Sequence, residues 1–392
     1  MKIRELDNEF LIGLKDKYLL TNEMGMRIIS LLDETRSVEL TIERVKSIAN
    51  IDYETAKKWV EMSNKWIYHF PEISDIPLDL RLPMKVQWRM TQNCNLFCKH
   101  CYNMNSGKKT IDTHNHIMGI VNKLIEADIM EVTLTGGEIL TIPFIDEVFQ
   151  KLLDNDVYIN IYTNAILLDE HIDILSMNKE QFKIFTSIDG VKEDHDRIRG
   201  IGSYDKTMKN IELAISKGCD IQTNTVINAI NYKEIPRVVS ILTSVGVKSL
   251  QFSYTVIEGN AKVNNDELQM TRDMYDEISN IMKNINEKSK DDVKVFFENY
   301  HLNEQDNSNV IDDFDKPWRC TAGETRFTII ENGDVIACPY FPEFKLGNIG
   351  QNSIEEIWNS ELKSKFVDFR DKNSSGNKCA ALVRGKVVTN II

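Results

Sequence analysis

From Lys85 to Tyr254 the chain alternates short β-rich runs with helical stripes, and few architectures accept that pattern. The β-rich runs are KVQWRMTQ (85–92), EVTLTGG (131–137), VYINIYTN (157–164), FKIFTSIDG (182–190), DIQTNTVIN (220–228) and SLQFSY (249–254). Between the first two, Ile117, Ile120, Val121, Leu124 and Ile125 fall at i, i+3, i+4, i+7 and i+8, the apolar stripe of an amphipathic helix. Further helices are expected from Pro143, near Leu168, from Tyr204 and near Ile235. About six β/α units imply a parallel sheet curled into a partial or full barrel. In such barrels the chemistry sits at the C-terminal ends of the strands.

Two flanking regions read differently. In residues 1–70, FLIGLKDKYLLT (10–21) suggests two short strands around Asp16-Lys17. Three helices are expected after it. The first places Met24, Ile28, Leu31 and Leu32 on one face, and the second spaces Ile42, Val45 and Ile48 for burial. The third starts after Asp52, an N-cap residue type, and turns Ala56, Val60 and Ile67 inward. A strand pair plus three helices suggests a winged helix-turn-helix. The proline-bearing stretch over 71–84 reads as a linker, and 85–300 as the barrel. In the last region, 301–392, two β-rich runs flank Asn332-Gly333, a strong hairpin signal, and Ser353 with Glu356 forms a capping box before Ile357 and Trp358.

Charge narrows the function. The 392 residues carry a formal net charge of −13, which argues against a nucleic-acid partner, because affinity for phosphate backbones rests on Lys and Arg. Residues 1–80 alone hold 11 Lys/Arg against 15 Asp/Glu, the wrong sign for a DNA reader. No apolar run reaches the roughly 18 residues of a membrane span, and MKIRELDNEF lacks the apolar core of a signal peptide. The expectation is a cytoplasmic protein with reduced thiols, so its seven cysteines suggest metal or redox chemistry rather than disulfides.

Three of those cysteines, Cys94, Cys98 and Cys101, lie in MTQNCNLFCKHCYN, just past the first barrel strand. Thiolates are soft ligands suited to iron–sulfur clusters. Three of them on a four-iron cubane leave one iron open to an outside amino and carboxylate group. A zinc knuckle, with His100 or a distant residue as fourth ligand, is the alternative. The second motif, Thr135-Gly136-Gly137-Glu138, ends the next strand; its glycines permit close backbone approach and its carboxylate suits an ammonium. Together the two motifs closely resemble the radical S-adenosylmethionine (SAM) superfamily, with His100 standing where that family usually has an aromatic residue. The resemblance implies a partial (β/α)6 TIM-type barrel and a 4Fe–4S cluster on Cys94, Cys98 and Cys101. It also implies SAM at the open iron, its amino group beside Gly136, Gly137 and Glu138. Ser187 and Asp189 would meet the ribose hydroxyls, Asn164 would turn the chain beside the cofactor, and Thr225 or Asn228 would lie near the adenine or carboxylate. Arg199 would reach an anionic group. For each of these, capping or turning the backbone is the alternative role.

Cys320-x12-Gly333-x4-Cys338 resembles the hairpin of the SPASM and Twitch extensions that follow many such barrels. With Cys379 as the one cysteine left downstream, it implies a Twitch-like single auxiliary cluster, 2Fe–2S or 4Fe–4S; a purely structural hairpin with Cys379 unbound is the alternative. Cys219 reads as a core thiol, and His114, His116 and His195 as surface or capping residues. The N-terminal unit resembles the RiPP recognition element, which implies that a precursor peptide's leader adds a strand to Phe10–Thr21 beside Tyr53–Ile67. A structural cap on the barrel is the alternative. The whole resembles the thioether-forming sactipeptide synthases, acting on a precursor peptide with an electron donor such as flavodoxin or ferredoxin. Carbon–carbon cross-linking is the nearest rival. Sulfatase-maturing enzymes and iron–sulfur transcription regulators fit less well, since the first carry more cysteines and the second do not explain the barrel.

Overall fold

The computed structural model describes residues 2–6, 9–14, 17–68, 82–102, 113–288, 293–298, 320–339, 341–342 and 344–373. The chain opens with β1 (Lys2–Leu6), β2 (Glu9–Leu14) and β3 (Lys17–Thr21), paired antiparallel in that order. β1 was not expected; KIREL is short and charged, with no apolar alternation to mark it. Helices α1 (Glu23–Thr35), α2 (Val38–Ala49) and α3 (Tyr53–Tyr68) follow. Each has a polar residue at its start. Asn22 Oδ1 accepts from Gly25 N at 2.9 Å, Ser37 Oγ from Leu40 N at 3.3 Å, and Asp52 Oδ1 from Thr55 N at 2.9 Å. Ile28, Leu32, Ile42, Val45, Ala56 and Val60 pack between the helices. Met24 and Ile48, expected inside, are exposed near opposite ends of their helices. The side chain of Ile67 lies outside the described residues.

All six expected barrel strands form: β4 (Lys85–Thr91), β5 (Glu131–Gly136), β6 (Tyr158–Tyr162), β7 (Phe182–Ser187), β8 (Ile221–Ile227) and β9 (Ser249–Tyr254). They pair in parallel in chain order. Between them run α4 (His114–Glu126), α5 (Ile145–Leu153), α6 (Ile172–Met177), α7 (Lys192–Arg199), α8 (Ser203–Ser216) and α9 (Ile235–Ser244). Helix α7, KEDHDRIR, is almost all polar and carries no apolar stripe, so the periodicity missed it. Strand side chains alternate between faces. Val86, Trp88, Leu134, Ile159, Ile161, Ile184, Leu250 and Phe252 pack outward with the α4 stripe in one large core. Gln87, Arg89, Thr133, Asn160, Lys183, Gln222, Asn224 and Gln251 take the opposite phase and give the barrel a polar lumen.

The sheet is open, so the barrel is partial. β10 (Lys294–Glu298) adds in parallel beside β9, and β11 (Arg326–Ile329) adds in parallel to the free side of β4. β11 then continues antiparallel into β12 (Asp334–Ile336) and β13 (Lys345–Asn348). The turn between β11 and β12 is the expected Asn332-Gly333 hairpin, with Gly333 left-handed at φ +83°, and the Ser353–Glu356 capping box starts the helix Ile354–Trp358. The C-terminal hairpin is therefore part of the barrel sheet. Among the described residues no helix is long and apolar enough to cross a membrane.

The N-terminal sheet is sandwiched. Ile12 and Leu19 face Ile29 of α1, while Leu11 and Tyr18 face Met84 and Met130 at the N-terminal ends of β4 and β5. Tyr18 donates to Glu131 Oε2 at 2.7 Å, and Lys85 Nζ lies 2.8 Å from the same oxygen. Buried Arg4 donates to the carbonyls of Leu82 (3.0 Å), Pro83 (3.2 Å) and Asp128, beside the Asp128 carboxylate. Arg4→Met strands those acceptors, so it is expected to cost about 3 kcal/mol. Urea unfolding would measure this, and limited proteolysis would cut first between the N-terminal unit and the barrel.

Candidate metal and cofactor site

The cysteine loop leaves the C-terminal end of β4, and its position is fixed from several directions. Gly137 N donates to Thr91 O at 2.7 Å and Glu138 N to Asn93 O at 2.8 Å. A Cβ on Gly136 would lie 2.4 Å from Thr91 O, and one on Gly137 2.2 Å from Asn93 O. Both glycines are required because the turn after β5 presses directly on the loop. Asn164 Nδ2 donates to Asn95 Oδ1 at 2.7 Å. From the other side, Asn260 N donates to Cys101 O at 2.8 Å and Asn260 Nδ2 to Cys98 O at 3.1 Å. Asn264 Nδ2 donates to Lys99 O at 3.2 Å, Lys99 Nζ reaches Glu267 at 2.7 Å, and a Cβ on Gly259 would meet Tyr102 O at 2.4 Å. Residues 259–267 had no chemical motif to mark them; only an Asn-rich stretch after the last barrel strand could have pointed there.

Several residues expected at the cofactor have protein partners in this structure. The Glu138 carboxylate is buried and accepts from Leu140 N (3.0 Å), Thr163 Oγ1 (2.8 Å) and Asn164 N (2.7 Å). It ties the turn after β5 to the turn after β6. Asp189 is fully buried. Its Oδ2 accepts from Arg199 Nε and from His100 Nε2 (2.6 Å), and its Oδ1 from Val226 N (2.8 Å). Burial works against the Asp189 charge, but Arg199 and His100 outweigh it and hold the carboxyl well below the ordinary range. Arg199 is likewise taken up by Asp189 and, at 4.0 Å, by Cys98 Sγ. Thr225 sits in the wrong phase of β8: its hydroxyl donates to Ile188 O at 2.6 Å, while Asn224 and Val226 take the lumen face. Asn228 is buried in its own turn, accepting from Ile230 N at 3.0 Å. Ser187 is the expected contact that faces the lumen, at the C-terminal end of β7. Ala165, in the glycine position of the turn after β6, is held left-handed at φ +62°, which explains why glycine suits that place.

The lumen also holds a shelf that sequence patterns did not reveal. Tyr162 and Phe185, on neighbouring strands, stack with ring centroids 4.6 Å apart and planes 2° from parallel. Tyr162 keeps 40% of its surface exposed, and Lys183 Nζ lies 5.3 Å from the Phe185 ring centre. The Oδ1 atoms of Asn160 and Asn224 are buried without a partner.

Cys320 and Cys338 are both half-buried against the barrel core. Thr328 pairs with Ile336, and hydrogen bonds from Glu324 N and Thr325 N to Thr321 O fold the chain back before β11. The turn brings Ala322 into a bridge with Arg326, two residues before the paired Thr328 of β11. Cys379 lies outside the described residues. Glu331, at the tip of this hairpin, accepts from Arg89 Nε at 2.7 Å and from Gln92 Nε2, joining the hairpin to the start of the cysteine loop. Cys219 packs at the edge of the barrel core. His114 pairs with Glu147 at 2.9 Å, and His116 Nε2 lies 3.2 Å from Glu331 O.

The residues fit a cluster with an open iron. The donors are three cysteine thiols, none in a disulfide, on one tightly held loop, and soft thiolates suit iron–sulfur. Burial pushes the Cys98 thiol up to about 11, so cluster assembly has to displace its proton. Two outcomes follow. Asn260→Ala removes the amide bond to Cys98 O, about 1 kcal/mol, and is expected to speed loss of a rebuilt cluster to a chelator about five- to tenfold. Burial also pushes His195 down to about 4 from 6.5, while its Nδ1 accepts from Asp189 N at 3.1 Å. Its contribution is fully present above pH 6.5 and lost as pH falls toward 4, about 3 kcal/mol in all. His195→Asn, which keeps an acceptor, should flatten that dependence in urea unfolding.

Residues 88–242 match the radical SAM superfamily, and residues 320–381, which include Cys320, Cys338 and Cys379, match SPASM, an iron-sulfur cluster-binding domain. The antilisterial bacteriocin subtilosin biosynthesis protein AlbA of Bacillus subtilis is 24% identical over 89% of this chain and 79% of its own length. The AdoMet-dependent heme synthase of Methanosarcina barkeri is 25% identical over 78% of this chain and 90% of its own. Among solved structures, Streptococcus suis SuiB bound to S-adenosylmethionine superposes with a TM-score of 0.62 at 16% identity, covering 97% of this chain and 94% of that one. The same protein bound to its precursor peptide SuiA gives 0.61 at 17%, with the same coverage. The cofactors are accordingly a 4Fe–4S cluster with SAM and auxiliary iron–sulfur. The chain carries a radical SAM domain over residues 88–242 and a SPASM domain over residues 320–381.

Proposed function

We propose that this enzyme is a peptide maturase that modifies a ribosomally made precursor peptide, joining a cysteine sulfur to an α-carbon. The observation that carries the reading is the place of β4. It pairs with β5 on one side and β11 on the other, so the Cys94–Cys101 loop and the hairpin bearing Cys320 and Cys338 share one sheet. When bound, the first cluster with SAM supplies removal of a hydrogen atom from an unactivated carbon, and an auxiliary cluster on Cys320, Cys338 and Cys379 supplies a position for the substrate thiolate or takes the second electron.

The chain's own residues position and shield. The unpartnered Oδ1 atoms of Asn160 and Asn224 suit peptide N–H donors in the lumen. The Tyr162–Phe185 shelf gives a side chain a flat apolar surface. Among the described residues β3 pairs only with β2, and its other edge suits a leader that adds as a fourth strand beside a winged helix-turn-helix. That sheet is seated at the N-terminal ends of β4 and β5, whereas the cysteine loop is at the opposite end. A leader-bound peptide must therefore span at least about 20 Å, the length of a seven-residue strand. The likeness to AlbA, a bacteriocin biosynthesis protein, and to SuiB, solved with its precursor peptide, supports a peptide over a tetrapyrrole. A flavodoxin- or ferredoxin-type protein would deliver the electron.

The test is anaerobic incubation with the short peptide encoded beside the gene, followed by mass spectrometry. Loss of two hydrogens per link together with blocked thiols is expected. Hydrogen loss with every thiol still free would replace thioether formation by carbon–carbon cross-linking. Cys98→Ala should release no 5′-deoxyadenosine. Cys338→Ala should still release it but form no linked peptide; full product from that variant would remove the hairpin from the mechanism.

A further inference from the structure

Asp189 and Arg199 form a buried ion pair that offers nothing to the lumen. Asp189 is held by Arg199 Nε, His100 Nε2 and Val226 N, and its own N–H is given to His195 Nδ1. Arg199 is the last residue of α7, and its backbone neighbour Ile198 accepts from Lys99 N of the cysteine loop at 2.8 Å. With both groups fixed by β7, β8, α7 and the loop, neither can swing out to meet a substrate. The guanidinium uses a second nitrogen: Nη1 lies 4.0 Å from Cys98 Sγ, within hydrogen-bonding reach of a sulfur. A planar fork can hold a carboxylate with one edge and a sulfur with the other; an ammonium cannot do both in fixed geometry. The result is a positive donor against one cluster ligand, with a negative charge directly behind it. Reduction potentials of iron–sulfur clusters depend on hydrogen bonds to the sulfurs and on local charge, and a dry site with few competing dipoles strengthens both.

We propose that Arg199 and Asp189 set the reduction potential of the cluster held by Cys94, Cys98 and Cys101. Arg199 stabilises the reduced, more negative state through Cys98. Asp189 orients Arg199 and partly cancels its charge. Both are positioning residues acting through a ligand, and the inference rests on the superfamily assignment alone, independent of which substrate the enzyme modifies.

The experiment is a redox titration of the full chain with its clusters rebuilt anaerobically, read by the electron paramagnetic resonance of the reduced first cluster, with iron and sulfide counted for each variant. Arg199→Gln is expected to lower the ratio of reduced to oxidised cluster at a fixed potential about tenfold, equivalent to 59 mV for a one-electron couple. Asp189→Asn is expected to move the midpoint the other way, and Arg199→Lys, which keeps the charge but cannot hold both the carboxylate and the sulfur, to fall between the Gln variant and the wild type. Opposite shifts are the signature, because loosening the loop would move both variants together. The inference is overturned if the Gln and Asn variants titrate like the wild type or shift in the same direction. Should Arg199→Gln assemble no cluster, the Asn variant decides: a midpoint above the wild type upholds the inference, and one at or below it overturns it.

Discussion

Strand β4 is the constraint on which the rest of the structure depends. Its two edges are taken by β5 and β11, its outward face by Val86, Trp88 and Met90 in the barrel core, and its inward face by Gln87 and Arg89. At one end it meets the N-terminal sheet through Met84 and Lys85; at the other it releases the cysteine loop. A residue slip in its register would turn every one of those side chains to the wrong face, and the glycine turn after β5 would no longer fit against Thr91 and Asn93.

The site is organised by neutralised charge. Glu138, Asp189 and Arg199 are all buried near the cysteines, and each is satisfied by protein donors or acceptors rather than left for a ligand. This is how a buried ionic group is tolerated at all: an unpaired charge in such a place would be far more costly than any contact it could make. The lumen differs. Its strand residues are polar but uncharged at Asn160, Gln222, Asn224 and Gln251, with one aromatic shelf among them.

Much of this was legible beforehand, for a local reason. The barrel strands are runs of β-branched and aromatic residues between amphipathic helices, so their period and spacing follow from burial on one or both faces. The cysteine spacing and Gly136–Gly137 carry chemistry in contiguous residues. Where the reading failed, the determining contact lay far away. Thr225 was one residue out of phase, which only the register with β7 reveals. Strand β1 exists because Lys2 and Arg4 find acceptors near residue 128, and α7 because Ile198 and Arg199 are buried under polar neighbours.

By itself, then, the order of residues determined the alternation of strands and helices, the three-thiol loop at a strand end, the glycine turn beside it and the second hairpin with its cysteines, since each depends on neighbours within a few positions. Tertiary structure alone decided that β11 pairs with β4, that Asn260 and Glu267 reach back to the loop, and that Asp189 faces Arg199 and His100 rather than the lumen. Those contacts join residues tens to hundreds of positions apart. They exist only once the sheet has brought its strands into register.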